Sequence, residues 1–407
     1  MTTRSPARSE CGADDQLSEF VYLDHAATTP LTAEAAAAVG DALRLFGNPS
    51  SRHTLGQAAR DALDEARAQV AALVGGADDE VVFTGGGSEA INLALRGTFA
   101  ARRGTGHLVT TAIEHAAGLE CAAALRRNGV DVSIVAPEPG GHVDPARIAA
   151  AMRADTVLVS VMHANNETGA IQPVDEITEL VHAAGALMHV DAVQTAGKLP
   201  LDALGADMVS VSAHKFGGPK GVGALRLAAH HRVEPLICGG GQEAGRRAGT
   251  ENLPGVRGMA AAAAAALPRL RDPRHREHQW RLRTRLLRHF DVLDGVRVHA
   301  TNPVMAETIS VAFDHVRGDT LADVLDLNGV CVSTGSACHA GRDDPSHVLT
   351  AMGVGADQAR ATLRFSAGPA TTEDDIDVAG RATVAAVRQL RRVSGTAPRL
   401  QEAIRAG

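Results

Sequence analysis

Lys215 is the residue of this sequence whose surroundings best suit covalent chemistry. It lies in VSVSAHKFGGPKGVGAL, where Ser212 and His214 come directly after a run typical of a β-strand and glycines follow the lysine. A lysine amine forms a Schiff base with an aldehyde cofactor when a desolvated pocket favours its neutral form. An isolated His-Lys pair is more often a solvated loop, so the interpretation depends on the other polar residues.

Asp191 and Gln194 form a second candidate pair, in LMHVDAVQTAGK, at the end of another strand-like run. A pyridoxal ring acts as an electron sink while its ring nitrogen stays protonated, and a neighbouring carboxylate keeps it so. Asp191 fits that role, and Gln194 fits a bond to the phenolic oxygen of the ring. The alternative is that Asp191 is simply a helix cap.

The segment EVVFTGGGSEAINLALRG is typical of an anion site at a helix N-terminus. A strand-like run leads into three glycines, then Ser88, then a helical pattern. Exposed N–H groups and the helix dipole favour a phosphate near Gly87 and Ser88. A plain strand-to-helix turn is the alternative, and the segment is neither a Walker A loop nor a GxGxxG fingerprint.

Three more residues lie in or after strand-like runs. His115 in TTAIEHAAG could lie flat over a cofactor ring, although single histidines are more often structural. Asn166 in NNETG could bond the ring or the substrate, although Asn-rich strand ends are usually turns. Arg364 in ATLRFSAG either pairs with a structural acid or binds a substrate carboxylate through its bidentate fork.

Cys338 is the cysteine whose neighbours best suit a reactive thiol. It lies in STGSACHAGRDDPSHVL, which is rich in Gly, Ser, Ala and Asp and has no aliphatic residue between Cys338 and Val348 except alanine. A buried structural cysteine normally has apolar neighbours, so this one is expected to be exposed and mobile. His339 or His347 could assist its deprotonation, and the sequence does not decide between them.

The elements that must position these residues follow from the hydrophobic periodicity. From Ala33 to about Asp207, helical segments alternate with short β-branched runs, which predicts a mostly parallel sheet covered by helices. Such a sheet binds ligands beyond the carboxyl ends of its strands. After Pro254 the helical stretches 255–268, 275–290 and 373–392 enclose three short strands, which predicts a smaller α+β domain.

The predicted organisation is a flexible N-terminal tail at 1–20, a large cofactor-binding domain at 21–255 and a small domain at 256–407 that carries the Cys338 loop. Residues 21–32 are assigned to the large domain, but they can also pack with the small domain. The net charge is −7, and we find no Lys/Arg cluster interleaved with aromatics, so nucleic-acid binding is not expected. The five scattered cysteines indicate neither a disulfide framework nor a metal site, and a cytoplasmic setting without a membrane segment is expected.

Ten segments, in this order and at compatible spacing, resemble the cysteine desulfurases of the NifS/IscS type, within the class V aminotransferase-like group. They are YLDHAATTP, FGNPSSRH, TGGGSEAIN, EHAAG, HANNETG, HVDAVQTAGK, SAHKFGGPKGVGAL, GGGQEAGRRAGT, STGSAC and LRFSAG. The resemblance runs nearly end to end. It implies the fold type I of pyridoxal 5'-phosphate (PLP)-dependent transferases, with a large α/β domain and a smaller α+β domain.

The resemblance also implies a role for each candidate residue. Lys215 is the Schiff-base lysine, Asp191 the partner of the pyridine nitrogen, His115 the residue stacked on the ring, and Asn166 and Gln194 further ring contacts, with Asn166 also near the substrate. The implied phosphate ligands are Gly87, Ser88, Ser212, His214 and, across a homodimer interface, Thr250. Arg364 is the implied ligand of the substrate carboxylate, and Cys338 the implied persulfide-forming cysteine.

The implied activity is removal of sulfur from L-cysteine, which gives L-alanine and a Cys338 persulfide for an acceptor protein or thiol. The acceptor is a scaffold for iron–sulfur cluster assembly, a transfer-RNA thiolase or a biosynthetic sulfur carrier. The stretch HAGRDD after the cysteine is similar to that of selenocysteine lyases, so a selenocysteine lyase or another PLP-dependent C–S lyase is an alternative. An inactive scaffold in a sulfur-transfer complex is the alternative of another class.

Overall fold

A computed structural model describes residues 20–334 and 344–395. The predicted tail therefore lies outside the described residues, except for Phe20, and so does Cys338. The helices are α1 Ala33–Ala42, α2 Thr54–Val74, α3 Gly87–Ala101, α4 Ala116–Arg127, α5 Pro145–Ala151, α6 Val174–Ala183, α7 Leu253–Arg271, α8 Pro273–Phe290, α9 Gly318–Leu327, α10 His347–Ala351, α11 Ala356–Arg360 and α12 Glu373–Val393. The three helices predicted after Pro254 correspond to α7, α8 and α12.

The strands alternate with these helices along the first half of the chain. They are β1 Val21–Tyr22, β2 Val81–Thr84, β3 His107–Thr111, β4 Asp131–Val135, β5 Thr156–Met162, β6 Leu187–Asp191, β7 Met208–Ser212, β8 Gly223–Leu227, β9 Val296–Val298, β10 Thr308–Phe313, β11 Val330–Cys331, β12 Ser333–Thr334 and β13 Thr362–Ser366.

The large sheet has seven strands in the order β2-β8-β7-β6-β5-β3-β4. The pairs among β4, β3, β5, β6 and β7 are all parallel, whereas β8 runs antiparallel to both β7 and β2. The expected mostly parallel α/β sheet is therefore confirmed. Every residue of β5 and β7 is buried, as expected for strands covered on both faces.

Two apolar clusters cover the faces of this sheet. One contains side chains of α2, α6 and α7, such as Val70, Val181 and Met259. The other contains side chains of α3 and α4, such as Leu93 and Leu125. The sheet is thus held between helical layers, and its carboxyl edge is left for polar residues.

A smaller antiparallel sheet, β12-β13-β10-β9, packs against α8 and α12 around its own apolar cluster. The Phe290 and Phe313 rings meet edge to face there, with their centroids 5.2 Å apart. This is the α+β arrangement predicted for the C-terminal part. The domain boundary at residue 255/256 stays a prediction.

Within the described ranges, no helix is both long enough and apolar enough to cross a bilayer. The same residues contain no group of His, Cys, Asp and Glu side chains arranged to hold a metal ion.

Candidate active site

A cavity of about 220 Å³ opens at the carboxyl edge of the large sheet. Its walls come from the ends of β5, β6 and β7 and from the residues that follow β2 and β3. The lining residues are Gly87, Ser88, Ile91, His115, Met162, Ala164, Asn166, Asp191, Val193, Gln194, Ser212, His214 and Lys215. All the predicted cofactor-binding residues except Thr250 therefore meet in one place.

Lys215 ends a single 3₁₀ turn that begins directly after β7. Its Nζ donates hydrogen bonds to Ala26 O at 2.7 Å and to Ala27 O at 2.9 Å. The backbone turns away immediately after the lysine at Gly217, whose φ of +91° favours glycine. The strand and the turn together aim the amine at the cavity and leave its reactive atom held by two carbonyl oxygens.

Asp191 is the last residue of β6 and is 6% exposed. Burial raises the pKa of its carboxyl to about 6, against the opposing effect of the Lys215 charge. Oδ1 accepts a hydrogen bond from Val193 N at 2.9 Å, and no hydrogen bond to Oδ2 comes from the described residues. A ligand that places a positive charge beside Asp191 would relieve the cost of burying this carboxylate.

His115 caps the N-terminus of α4, where its Nδ1 accepts from Ala117 N at 3.1 Å. A ring nitrogen that accepts carries no proton, so the capping bond favours the neutral imidazole. Burial, and then the charges of Lys215 and His347, lower the pKa of His115 in the same direction. The ring is a neutral aromatic surface on the cavity wall.

The turn between β2 and α3 forms a cradle of backbone N–H groups. Gly86 is the N-cap and has no side chain to satisfy them. A Cβ on Gly87 would come within 2.7 Å of Val193 Cγ2, so a larger residue would intrude on the cavity. Ser212 lines the same region. The geometry fits an anion bound at the positive end of the helix dipole.

His214 contributes a neutral imidazole to this region. Burial, followed by the charges of Lys215, Lys220 and Lys198, lowers its pKa to about 4. His214 lines the cavity while its Nδ1 lies 3.2 Å from Thr28 Oγ1. The contact with Thr28 therefore fixes the orientation of the His214 ring.

Arg364, on β13, is not part of the cavity wall. Its guanidinium lies behind Asn166, donating from Nη1 to Asn166 O at 2.9 Å and from Nη2 to Asp24 Oδ1 at 2.7 Å. Thr250 is exposed and does not line the cavity. Cys338 and His339 fall outside the described residues. His347, at the start of α10, is within hydrogen-bonding distance of Glu114 O, 3.0 Å away.

Residues 24–29 belong to the site although their residue types do not predict a role for them. Ala26 O accepts from Gln194 Nε2 at 3.0 Å, and Thr28 Oγ1 meets His214. These partners are 168 and 186 residues further along the chain. In the sequence the segment is visible as part of YLDHAATTP, whose place in the family pattern is the one signal that could have pointed to it.

Comparisons with known proteins identify the family. The family model for class-V aminotransferases matches residues 21–378. Cysteine desulfurase IscS of Dictyoglomus turgidum is 40% identical over 384 residues, covering 92% of this chain and 96% of that protein. A cysteine desulfurase of Cereibacter sphaeroides is 43% identical over 389 residues, covering 92% and 98%.

A solved NifS-like protein has the same fold, with a TM-score of 0.83 and 36% identity, covering 90% of this chain and 99% of that one. The chain therefore belongs to the class-V aminotransferase family, and within that family to the cysteine desulfurases. The resemblance and the fold type I inferred from the sequence are confirmed.

Proposed function

We propose that this chain is a PLP-dependent cysteine desulfurase, which forms L-alanine from L-cysteine and keeps the sulfur as a persulfide on Cys338. The observation that carries the proposal is the meeting of the Lys215 amine and the buried Asp191 carboxylate in one cavity, beside the N-terminus of α3. The family comparisons support the same activity. Transfer of the sulfur to an acceptor protein or thiol, in a cytoplasmic setting, completes the proposal.

The residues of the cavity fit PLP. Lys215 would hold its aldehyde carbon, Asp191 its ring nitrogen and His115 one face of its ring. The remaining cofactor ligands are Asn166 and Gln194 at the ring and Gly87, Ser88, Ser212 and His214 at the phosphate. Two features support the fit: the Asp191 oxygen that receives no hydrogen bond from the described residues, and the close approach of Gly87 to Val193, which leaves no room for a Cβ at the start of α3. When bound, PLP supplies an electron sink for the substrate carbon atoms.

The side chains of this chain then bind the substrate and move its protons. Arg364 binds the carboxylate of cysteine, with Asn166 beside it. Lys215 Nζ takes the proton from the substrate Cα and returns one later, because its amine lies in the cavity and is attached by a flexible stem. His115, kept neutral by burial and by its capping bond, confines the ring without adding a charge.

Cys338 receives the sulfur. Its thiolate attacks the substrate sulfur, an S–S bond forms as the Cβ–S bond breaks, and the electron pair stays on Cβ, which then takes a proton. The products are the Cys338 persulfide and alanine, and no external oxidant is needed.

The experiment compares Cys338→Ala with Cys238→Ala, since Cys238 is an exposed free thiol. Both variants are incubated with L-cysteine; alanine and sulfide are measured, and the persulfide is located by mass spectrometry. We expect Cys338→Ala to keep the cofactor absorption band and lose persulfide formation, and Cys238→Ala to behave as wild type. Unchanged sulfide release from Cys338→Ala would defeat the proposal.

Lys215 is tested in the same way against Lys220, which is exposed. Lys215→Ala should lose the absorption of the covalently held cofactor, whereas Lys220→Ala should keep it. Retention of the band in Lys215→Ala would mean that another group holds the cofactor.

The proposed enzyme is a homodimer in which Thr250 of the partner subunit reaches the phosphate. Thr250 is exposed in the single chain, as a residue acting across an interface must be. Leu43 and Phe46, after α1, are 69% and 81% exposed, and clustered exposed apolar residues favour association. Light scattering should give the mass of two chains, and a monomeric, fully active enzyme would contradict this part of the proposal.

A further inference from the structure

Asp24 is placed beside the proposed substrate arginine by main-chain pairing. It forms a parallel bridge with Ser366 at the end of β13, and Ala26 N donates to Ser366 Oγ at 2.9 Å. Arg364 is two residues earlier on the same strand. The strand pairing therefore brings the carboxylate and the guanidinium together although they are 340 residues apart in sequence.

The Nε donor of the Arg364 guanidinium makes no hydrogen bond with the described residues, whereas Nη1 and Nη2 each make one. Nη1 is held by Asn166 O and Nη2 by Asp24 Oδ1. Nε is buried and has no hydrogen-bond partner in the part of the chain that the structure describes. Nε and Nη2 form one edge of the planar fork, and a carboxylate that occupies such an edge bonds both donors in parallel. Asp24 therefore accepts one hydrogen bond from an edge that can donate two.

The two partners also differ in how far they are buried. The Arg364 side chain is 4% exposed and that of Asp24 20% exposed. A buried guanidinium needs a counter-charge, whereas the partly exposed carboxylate can exchange that contact for water at a smaller cost.

We infer that Asp24 is the counter-ion of Arg364 in the absence of substrate. When substrate binds, its carboxylate displaces Asp24 from the Nε–Nη2 edge of the guanidinium. Asn166 O keeps the guanidinium oriented during the exchange. A ligand with a carboxylate replaces the single Asp24 bond by two and restores neutrality. A ligand without a carboxylate would leave Asp24 in place, so Asp24 acts as a positioning residue that holds the guanidinium until a carboxylate ligand displaces it. This inference rests on the proposed role of Arg364.

The test measures equilibrium binding of two small amines to the holoenzyme through the change in the cofactor absorption. L-Alanine carries the carboxylate and ethylamine lacks it, and neither requires Cys338. Asp24→Asn keeps an oxygen acceptor at the same position but removes the competing charge. We expect the dissociation constant of L-alanine to fall about tenfold, the scale of one close charge–charge contact at a partly buried site, and that of ethylamine to stay unchanged.

Asp175→Asn is the matched control, because Asp175 is exposed on α6 and has no hydrogen bond among those of the described residues. Asp24→Ser, which also removes the charge, should tighten L-alanine binding in the same way and serves if the asparagine variant does not fold. Unchanged or weaker L-alanine binding, or an equal change for both amines, would overturn the inference while leaving the desulfurase proposal intact. If L-alanine does not bind to the wild type at all, both fail.

Discussion

Replacing Asp191 by asparagine should change how the stability of the cofactor-free protein depends on pH. Burial raises the pKa of this carboxyl from 3.8 to about 6, so the folded state favours the protonated acid. Its contribution to stability is complete below the unfolded pKa and is lost as the pH rises through about 6. A shift of roughly two pKa units corresponds to about 3 kcal/mol at about 1.4 kcal/mol per unit. The wild type should lose that much more stability than Asp191→Asn between about pH 4 and about pH 8.

The assay is urea unfolding of the two cofactor-free proteins across this pH range. Burial also raises the pKa of Glu114 to about 8 and that of Glu167 to about 7. Glu167 titrates in the same way in both proteins and cancels in the difference. The Asp191 charge contributes to the raised pKa of Glu114, so the difference reports Asp191 together with its coupling to Glu114. Parallel stability–pH curves for the two proteins would refute the reasoning, because they would mean that the carboxyl is not desolvated.

Adding the cofactor turns the same comparison into a test of the role proposed for Asp191. A ring cation beside the carboxylate stabilises the ionised form and lowers its pKa. The excess loss of stability in the wild type at high pH should therefore shrink when PLP is bound. An undiminished difference in the holoenzyme would place the ring nitrogen away from Asp191.

The remaining predictions concern the anion cradle and a buried ion pair. Gly87→Ala should weaken cofactor binding by about 1–3 kcal/mol, since its Cβ would intrude on the cavity wall. The control is Gly355→Ala, whose Cβ meets nothing within 4 Å. Fluorescence titration measures the cofactor affinity of both variants, and equal affinities would contradict the prediction. Glu243→Gln should destabilise the fold by about 3–5 kcal/mol, because it leaves the guanidinium of Arg67, now 2.7 Å from the carboxylate, without its counter-charge. Glu65→Gln, in an exposed pair, should cost about 0–1 kcal/mol in the same unfolding assay, and equal losses would show that the Glu243 pair is not buried.

The residues at the carboxyl ends of the strands were predictable because parallel strands all end at one edge of a sheet. Asp191 and Lys215 both lie at the ends of strand-like runs. Their side chains therefore come close together if the two strands belong to the same parallel sheet. The contacts of Asp24 were not predictable in this way, since they depend on which strand the N-terminal segment joins. For Arg364 the sequence left two alternatives, a structural acid and a substrate carboxylate. The structure shows a bond to an acid, Asp24, and the substrate role stays a proposal.

The direction of β8 is another feature that the local pattern did not indicate. Its residues, GALRL, have the composition of any short strand. The connection from Lys215 to Gly223 contains no helix beyond the short turn, and a parallel crossover needs a dozen residues or more. The chain therefore returns antiparallel to β7, and this reversal fixes Lys215 at the rim of the sheet, directly before the connection.

The charges around the cavity explain why Asp191 has more influence on the orientation of a ligand than the histidines have. Burial lowers the pKa of His115 and of His214, so both rings are neutral near pH 7 and neither supplies a charge. In the proposed site an anion is then held by the helix dipole of α3, by backbone N–H groups and by the neutral side chains of Ser88, Ser212 and His214. These groups attract any small anion whatever it is attached to. Asp191, at the end of β6, instead favours a positive charge on the ligand. A molecule that carries both an anion and a protonated ring nitrogen satisfies the helix end and the carboxylate together in a single orientation, whereas inorganic phosphate satisfies the helix end and leaves the cost of burying Asp191 unchanged.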